Sequence, residues 1–128
     1  MAAILIVVDA QRASARMVEM LRGKGHTARV ESNGAAALLA AHEDLPALII
    51  IDLMVPILDG QEVVQALRHD PHTTHIPVVV LTDRDDDRQF ADALVNGANV
   101  YLAKPPDLAV LGSIVDRLLT LQVKDTAA

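Results

Sequence analysis

Three almost wholly apolar runs, at residues 4–8, 47–51 and 76–81, dominate the pattern of hydrophobic and polar positions. Each has the length of a strand and is rich in β-branched side chains. A strand that is apolar on both faces is typical of the centre of a parallel sheet. Residues 26–31 alternate polar and apolar side chains, which predicts a half-exposed edge strand, and residues 99–103 form a fifth short strand.

Segments in which apolar residues recur at helical spacing separate these runs. The predicted helices cover residues 12–24, 35–42, 61–68, about 85–96 and 107–121, and residues 122–128 are expected to form a frayed end. The alternation of strand and helix predicts an α/β fold in which helices cover a parallel sheet, and right-handed crossovers limit its topology. We find no internal repeat, and we expect one domain over residues 1–128.

The chain of 128 residues carries a net charge of −6 and contains no cysteine. The lack of cysteine excludes disulfides and thiolate metal sites, and the acidic balance argues against nonspecific binding of nucleic acid by this domain. No apolar run approaches the roughly 20 residues of a membrane span. The N-terminal run is too short for a signal peptide and lacks its basic flank. We therefore expect a soluble cytoplasmic protein without a membrane partner.

Four predicted strands end in a polar or charged residue, namely Asp9, Asp52, Thr82 and Lys104. Because the carboxyl ends of parallel strands share one edge of the sheet, where ligands bind in open α/β folds, these side chains are expected to meet in one crevice. A carboxylate can attack phosphorus to form an aspartyl phosphate, and Mg²⁺ is typically held by one or two carboxylates. A lysine and a hydroxyl can bind the phosphoryl oxygens. The crevice therefore fits phosphoryl transfer.

Each of these residues also has a structural interpretation. Asp9 and Thr82 are residue types that cap a following helix, Lys104 would serve equally as a solvated loop charge, and Asp59 with Gly60 is by itself a turn signal. The order of the residue types along the chain, and their common position at strand ends, favour the functional interpretation.

Two further polar clusters are more typical of solvated surface. His69, His72 and His75 lie close together in a polar segment, where a solvated loop is favoured over a transition-metal site. Three aspartates at 85–87 stand at the start of a predicted helix, where the helix dipole favours acidic side chains. Neither cluster indicates a site on its own.

The residues Asp52, Pro56, Asp59 and Gly60, in this order and spacing, resemble the phosphoacceptor segment of bacterial two-component response-regulator receiver domains. The whole chain looks like a member of this family similar to the chemotaxis regulators. The resemblance implies a flavodoxin-like (βα)5 fold, a doubly wound parallel sheet of order 2-1-3-4-5. It implies that Asp52 is the phosphorylated aspartate and that the other three residues are structural parts of the loop that follows it.

Further positions match the family's phosphate-binding and switch residues. Thr82 matches the hydroxyl of the family motif, and Lys104, followed by Pro105, matches its lysine, with a cis peptide bond implied between the two. Tyr101 matches the aromatic switch position three residues before that lysine. The resemblance implies that Thr82 and Lys104 bind the phosphoryl oxygens, and that Tyr101 follows inward when Thr82 moves toward the phosphate.

The resemblance also implies a Mg²⁺ site formed by Asp9, Asp52 and the backbone carbonyl of Met54, but one ligand is missing. The family has a second acid, a direct Mg²⁺ ligand, at the position of Ala10. Losing even a residue that only supports a metal ligand costs roughly 10–100-fold in affinity or activity, so a weak site is expected. Asp83 stands where the family usually has a small residue. An acid there would either hinder an anionic phosphodonor or offset the missing ligand.

Two functions of different class remain open. In the first, a sensor histidine kinase or phosphotransfer protein donates a phosphoryl group to Asp52. The face formed by the fourth predicted helix, the fifth strand and the fifth helix then changes its affinity for a downstream effector protein or domain. In the second, the chain is an interaction module that acts without phosphorylation, because Ala10 removes a Mg²⁺-binding acid. The family also implies a homodimer through the last helix as a further partner.

A true enzyme on a similar fold is disfavoured. A haloacid-dehalogenase-type phosphatase would need a second acid where Met54 stands, and the sequence contains no glycine-rich nucleotide loop. The only catalysis expected is the chain's own phosphorylation and dephosphorylation at Asp52, with binding as the output.

Overall fold

A parallel sheet of five strands lies at the centre of the structure, a computed structural model that describes residues 2–83 and 97–127, with the backbone alone for 122–127. The strands are β1 (Ala3–Val7), β2 (Thr27–Glu31), β3 (Leu48–Asp52), β4 (Val78–Thr82) and β5 (Val100–Ala103). They pair in parallel in the order β2-β1-β3-β4-β5. This order confirms the predicted flavodoxin-like topology.

The described part of the chain contains helices α1 (Gln11–Gly23), α2 (Gly34–Asp44) and α3 (Gly60–Arg68) and a C-terminal helix (Leu108–Ala127). Their bounds lie within one or two residues of the predicted ones, with one exception: the C-terminal helix continues to Ala127, so the predicted end at residue 121 was wrong. Residues 122–127 contain neither glycine nor proline, so their sequence does not stop the helix. The predicted helix at 85–96 lies outside the described residues.

The bounds of two strands reflect their local sequence. β4 begins at Val78, two residues later than predicted, because Pro77 has no N–H to donate to a strand ladder. The carbonyl of Pro77 nevertheless accepts a hydrogen bond from the amide of Ile49. β2 lies at the edge of the sheet with partly exposed side chains, as its alternating sequence predicted.

The central strands are buried on both faces of the sheet, and alternate residues face opposite cores. Leu5 and Ile51 belong to a core shared with α2 and α3, whereas Ile4 and Ile50 belong to a core shared with α1 and the C-terminal helix. Each fully buried aliphatic side chain contributes about 2 kcal/mol relative to leaving it in water. These two cores fix the strands, and hence the residues at their carboxyl ends.

Arg68, the last residue of α3, ties together the amino edge of the sheet. Its guanidinium donates hydrogen bonds to the carbonyls of Thr74, Ile76 and Gly97 and to the side-chain oxygen of Asn99, at 2.7–3.1 Å. The same Asn99 oxygen accepts the amide of Val78 at the start of β4. One cation therefore joins the end of α3 to the residues that lead into β4 and β5.

The histidine-containing segment after α3 forms a series of turns at the same edge. The buried hydroxyl of Thr73 donates to the carbonyl of Leu67, and the carboxylate of Asp70 accepts the amide of His72. Among the described residues, no three acidic, histidine or cysteine side chains are arranged to hold a metal ion. None of the helices in the described part of the chain combines the length and the apolar character that crossing a bilayer requires.

Candidate functional site at the carboxyl edge

Asp52 and Lys104 meet at the carboxyl edge of the sheet. Asp52 is the last residue of β3, and Lys104 directly follows β5, with β4 between the two strands. Lys104 Nζ donates a hydrogen bond to Asp52 Oδ2 at 2.6 Å. Asp52 is only 8% exposed, so this ion pair compensates a carboxylate that is largely removed from water. Residues 52 positions apart in the sequence thus form one charged centre.

The second oxygen of the Asp52 carboxylate is held by the backbone. Asp52 Oδ1 accepts a hydrogen bond from the amide of Met54 at 2.9 Å. The amide of Leu53 donates to the carbonyl of Leu81 in β4, which anchors the chain directly after Asp52. Each carboxylate oxygen has two lone pairs and accepts one of these two hydrogen bonds, so the backbone and Lys104 together orient the carboxylate.

Lys104 interacts with a second carboxylate, that of Asp83, at a distance of 3.4 Å from Nζ to Oδ1. Partial burial lowers the pKa of Lys104, but the hydrogen bond and the charge of Asp52, together with Asp83, outweigh this effect and raise the pKa above its usual value. The ammonium therefore stays charged across the physiological range. The peptide bond from Lys104 to Pro105 is cis, as the resemblance implied.

Thr82 and Tyr101, the predicted switch residues, are both buried in the adjacent strands β4 and β5. Thr82 is the last residue of β4 and pairs in register with Ala103, the residue before Lys104. Its side chain is nearly inaccessible, and Tyr101 is 9% exposed within the core shared with α2 and α3. The hydroxyl-bearing residue and the aromatic ring are therefore close in the fold and covered by their neighbours.

Asp9 and Ala10, which follow β1, lie on the opposite side of Asp52 from Lys104. β1 is the neighbour of β3 on that side, and Asp9 and Ala10 follow β1 as exposed residues. Mg²⁺ is usually held by one or two carboxylates and retains several waters. Asp9 and Asp52, with the backbone carbonyl of Met54, fit this donor set, but the methyl group of Ala10 adds nothing to it.

Ala10 also leaves helix α1 without a side-chain cap. It occupies the N-cap position with extended backbone angles, and its side chain makes no capping hydrogen bond. An Asp or Asn at this position would accept a hydrogen bond from the first turn of the helix. The alanine thus removes both a charge from the site and a cap from α1.

The loop from β3 to α3 is shaped by Asp59 and Gly60. Asp59 accepts the amide of Glu62 at 2.9 Å, and Glu62 in turn accepts the amide of Asp59, which forms a capping box. A Cβ on Gly60 would lie 2.8 Å from the Cα of Leu53, so only glycine lets α3 begin so close to the residue after Asp52. Both residues hold the segment that follows Asp52 in shape.

Two residues of this region were missed by the sequence analysis. The amide of Gly34 at the start of α2 donates to the carbonyl of Pro56, and a Cβ on Gly34 would lie 1.9 Å from the carbonyl oxygen of Leu58. Ile57 has a φ of 73°, a left-handed conformation that is unfavourable for a β-branched residue, and it is largely exposed. The pair Asn33-Gly34 is a turn signal that does not indicate this close contact, and the sequence holds no signal for the conformation of Ile57.

The sequence of this chain is similar to those of known response regulators. Residues 4–116 match the family model described as the response regulator receiver domain. The protein PilH of Pseudomonas aeruginosa is 30% identical over 119 residues, covering 93% of this chain and 98% of PilH. The response regulator PleD of Caulobacter vibrioides is 38% identical over 112 residues, covering 87% of this chain.

Solved structures of similar fold include receiver domains. A response regulator from Chloroflexus aurantiacus has a TM-score of 0.88 at 31% identity, covering 93% of this chain and 98% of that one. The receiver domain of the sensor histidine kinase PA1611 from Pseudomonas aeruginosa, with a magnesium ion coordinated in its active-site cleft, has a TM-score of 0.85 at 28% identity, with the same coverage.

Some of the matched proteins are longer than this chain. The match spans 25% of PleD and 50% of the transcriptional regulatory protein PcoR of Escherichia coli. The matched region of each is therefore one part of a larger protein, whereas in PilH it is nearly the whole length.

Proposed function

This chain belongs to the response regulator receiver domain family, and from that premise we propose that Asp52 accepts a phosphoryl group from a sensor histidine kinase or a phosphotransfer protein. The observation that carries the proposal is the contact of 2.6 Å between Asp52 Oδ2 and Lys104 Nζ, which sets a cation beside a largely buried carboxylate at the ligand-binding edge of the sheet.

The proposed transfer is a displacement at phosphorus. A carboxylate oxygen of Asp52 forms a bond to phosphorus while the bond from phosphorus to the donor atom breaks, and the electron pair of that bond leaves with the donor. Catalysis of such a step is mostly positioning and charge neutralisation. Lys104 supplies a fixed positive charge, and the Met54 amide, through its bond to Asp52 Oδ1, orients the carboxylate.

Mg²⁺ is the proposed cofactor, held by Asp9, Asp52 and the backbone carbonyl of Met54. When bound, the ion supplies the positive charge that offsets the phosphoryl oxygens. Asp52 and Asp83 share the ammonium of Lys104, and Asp9 follows the neighbouring strand β1 at the same edge, so these described side chains bring carboxylates on which a divalent cation can bind. The magnesium ion in the PA1611 receiver domain supports this assignment.

The proposed output is a change in partner binding. Thr82 is expected to turn toward the phosphoryl group and Tyr101 to repack behind it. These movements shift the equilibrium between two conformations of the face formed by β5, the C-terminal helix and the predicted helix at 85–96. The partner is a downstream effector protein or a further domain, as the greater length of PleD and PcoR suggests.

A second candidate function is an interaction module that does not depend on phosphorylation, and the observation in its favour is Ala10. The test is intact mass spectrometry after incubation with Mg²⁺ and a small acyl phosphate. The wild-type protein should gain one phosphoryl group and the Asp52→Asn variant none, with both shown to be folded by circular dichroism. Uptake by the variant would contradict the site, and a folded wild-type protein without an adduct would favour the second function.

A further inference from the structure

Lys104 lies between two carboxylates, although only one of them is the proposed phosphoacceptor. Its Nζ is 2.6 Å from Asp52 Oδ2 and 3.4 Å from Asp83 Oδ1. The side chain of Asp83 is 68% exposed, whereas that of Asp52 is 11% exposed. The inner carboxylate therefore holds the lysine, and the outer one faces the solvent from which a phosphodonor must arrive.

An acid at position 83 has two conceivable roles, to hinder an anionic phosphodonor or to replace the missing Mg²⁺ ligand, and the strand order decides between them. Asp83 follows β4 and Lys104 follows β5, both on one side of β3, while Asp9 follows β1 on the other side. Asp83 is thus on the ammonium side of Asp52, away from the position at which Ala10 lacks a carboxylate. An acid in this place acts on Lys104 and on the incoming phosphoryl group, and does not replace the missing metal ligand.

We propose that Asp83 is a specificity-determining residue that disfavours small, highly charged phosphodonors, an inference that rests on the proposed function. A phosphoryl oxygen that reaches Asp52 must replace Asp83 in its contact with the ammonium of Lys104. The exposed carboxylate of Asp83 also repels the negative charge of the donor as it approaches. A donor protein that presents a cation opposite Asp83 escapes this repulsion. The residue therefore favours transfer from a protein over transfer from free acyl phosphates.

The test is the initial rate of phosphoryl uptake from acetyl phosphate, followed by intact mass, in the wild-type protein, Asp83→Asn and Asp83→Glu. A unit charge about 4 Å away in water changes a rate by about fivefold, so Asp83→Asn should be faster by about that factor at low salt. The gain should shrink in high salt, because the exposed carboxylate is screened. Asp83→Glu, which keeps the charge, should retain the slow uptake.

Asp116→Asn is the matched control. Asp116 is also an exposed carboxylate paired with a lysine, Lys24, at 2.9 Å, but Lys24 follows the end of α1, at the opposite edge of the sheet from Asp52. This variant changes the net charge equally and should leave the rate unchanged. Phosphoramidate, a donor with less negative charge near neutral pH, should gain less from Asp83→Asn than acetyl phosphate does.

Failure of this inference is distinguishable from failure of the proposed function. If the wild-type protein takes up phosphoryl groups but Asp83→Asn is no faster than wild type, the inference is wrong and the function stands. The same holds if Asp116→Asn speeds uptake as much as Asp83→Asn does. If the wild-type protein takes up none, titration with inorganic phosphate, followed by NMR at the Lys104 ammonium, decides the inference instead. Tighter binding to Asp83→Asn then supports it, and equal binding overturns it.

Discussion

The amino and carboxyl edges of the sheet differ in how completely their charged groups are paired. At the amino edge, Arg68 donates to four acceptors, and one of them, the side-chain oxygen of Asn99, also accepts the Val78 amide. At the carboxyl edge, Lys104 is shared by Asp52 and Asp83. In the part of the chain that the structure describes, one edge has a cation matched to neutral oxygens, and the other has two carboxylates that share one lysine.

This difference separates the edge that stabilises the fold from the edge at which we propose that a ligand binds. A partly buried cation with a full set of acceptors stabilises the segments that it joins. Two carboxylates that share a single lysine stabilise the fold less than fully matched groups do, because like charges repel, but they attract a divalent cation. Substitutions at the two edges should therefore affect different measurements.

The largest expected effect on stability is that of Arg68→Met, which keeps an apolar stem beside Gly97 but removes the guanidinium. The carbonyls of Thr74 and Ile76 lose a charged donor, so the free energy of unfolding should fall by about 3 kcal/mol. Urea denaturation followed by circular dichroism measures the change.

The matched variant at the other edge is Asp52→Asn, which also removes one charge from a hydrogen-bonded group. The asparagine oxygen can still accept from Lys104 or Met54, and repulsion among the carboxylates is relieved, so stability should stay within about 1 kcal/mol of wild type. Equal losses in the two variants would mean that both edges stabilise the fold, and the comparison would fail.

The next effect is on metal binding, through Ala10→Asp. A further carboxylate beside Asp9 should tighten Mg²⁺ by at least about tenfold, given the cost of losing comparable groups in metal sites. Isothermal titration calorimetry measures the affinity directly. Because only the folded state binds the ion, tighter binding should also make the thermal stability of the variant rise more with Mg²⁺ concentration than that of the wild-type protein.

Ala10→Asn serves as the control for this prediction, because it supplies the missing helix cap without the charge. It should stabilise the protein by about 1 kcal/mol in the absence of metal and leave the Mg²⁺ affinity nearly unchanged. If the asparagine variant binds Mg²⁺ as tightly as the aspartate variant, the gain in affinity comes from ordering the start of α1 and not from the added carboxylate.

The topology and the meeting of Asp52 with Lys104 were predictable because both follow from strand patterning. Apolar runs such as residues 47–51 must be buried on both faces, and the residue that ends such a run lies at a shared edge. The same argument could not give the role of Arg68. Its acceptors are backbone carbonyls and an asparagine oxygen, which carry no pattern in the sequence.

Local backbone geometry was the other part that could not be predicted. The need for glycine at Gly34 comes from the carbonyl of Leu58, a contact across 24 positions that depends on how α2 meets the loop after β3. The positive φ of Ile57 runs against the preference of its own residue type. In both cases the tertiary structure imposes a conformation that neighbouring residues in the sequence do not specify.

The smallest effect is expected from an exposed ion pair at the amino edge, between His42 in α2 and Asp70 after α3. The hydrogen bond from His42 lowers the pKa of Asp70 from 3.8 to about 2, with a further contribution from the His72 amide. The same bond to Asp70, with the Leu38 carbonyl, raises the pKa of His42 above 6.5. The exposed groups His42 and Asp70 at this edge are therefore paired.

The signs of the two shifts define a pH window for this pair. The raised pKa of His42 gives stability that is fully present below pH 6.5 and is lost as the pH rises through the folded-state value. The lowered pKa of Asp70 gives stability that is present above pH 3.8 and is lost as the pH falls toward 2. The pair should contribute most at about pH 5.

His42→Gln should therefore lower the urea midpoint most at about pH 5, and progressively less as the pH rises above 6.5 through the raised folded-state pKa of His42. His69→Gln is the control, because the ring of His69 also hydrogen-bonds the carbonyl four residues earlier, that of Gln65, but without a carboxylate in that bond. This variant measures the loss of a ring hydrogen bond that involves no carboxylate. A His42→Gln difference that is constant from pH 5 to 8.5 would show that the ring acts by packing alone, and the pairing of exposed charges would then not distinguish the amino edge from the carboxyl edge.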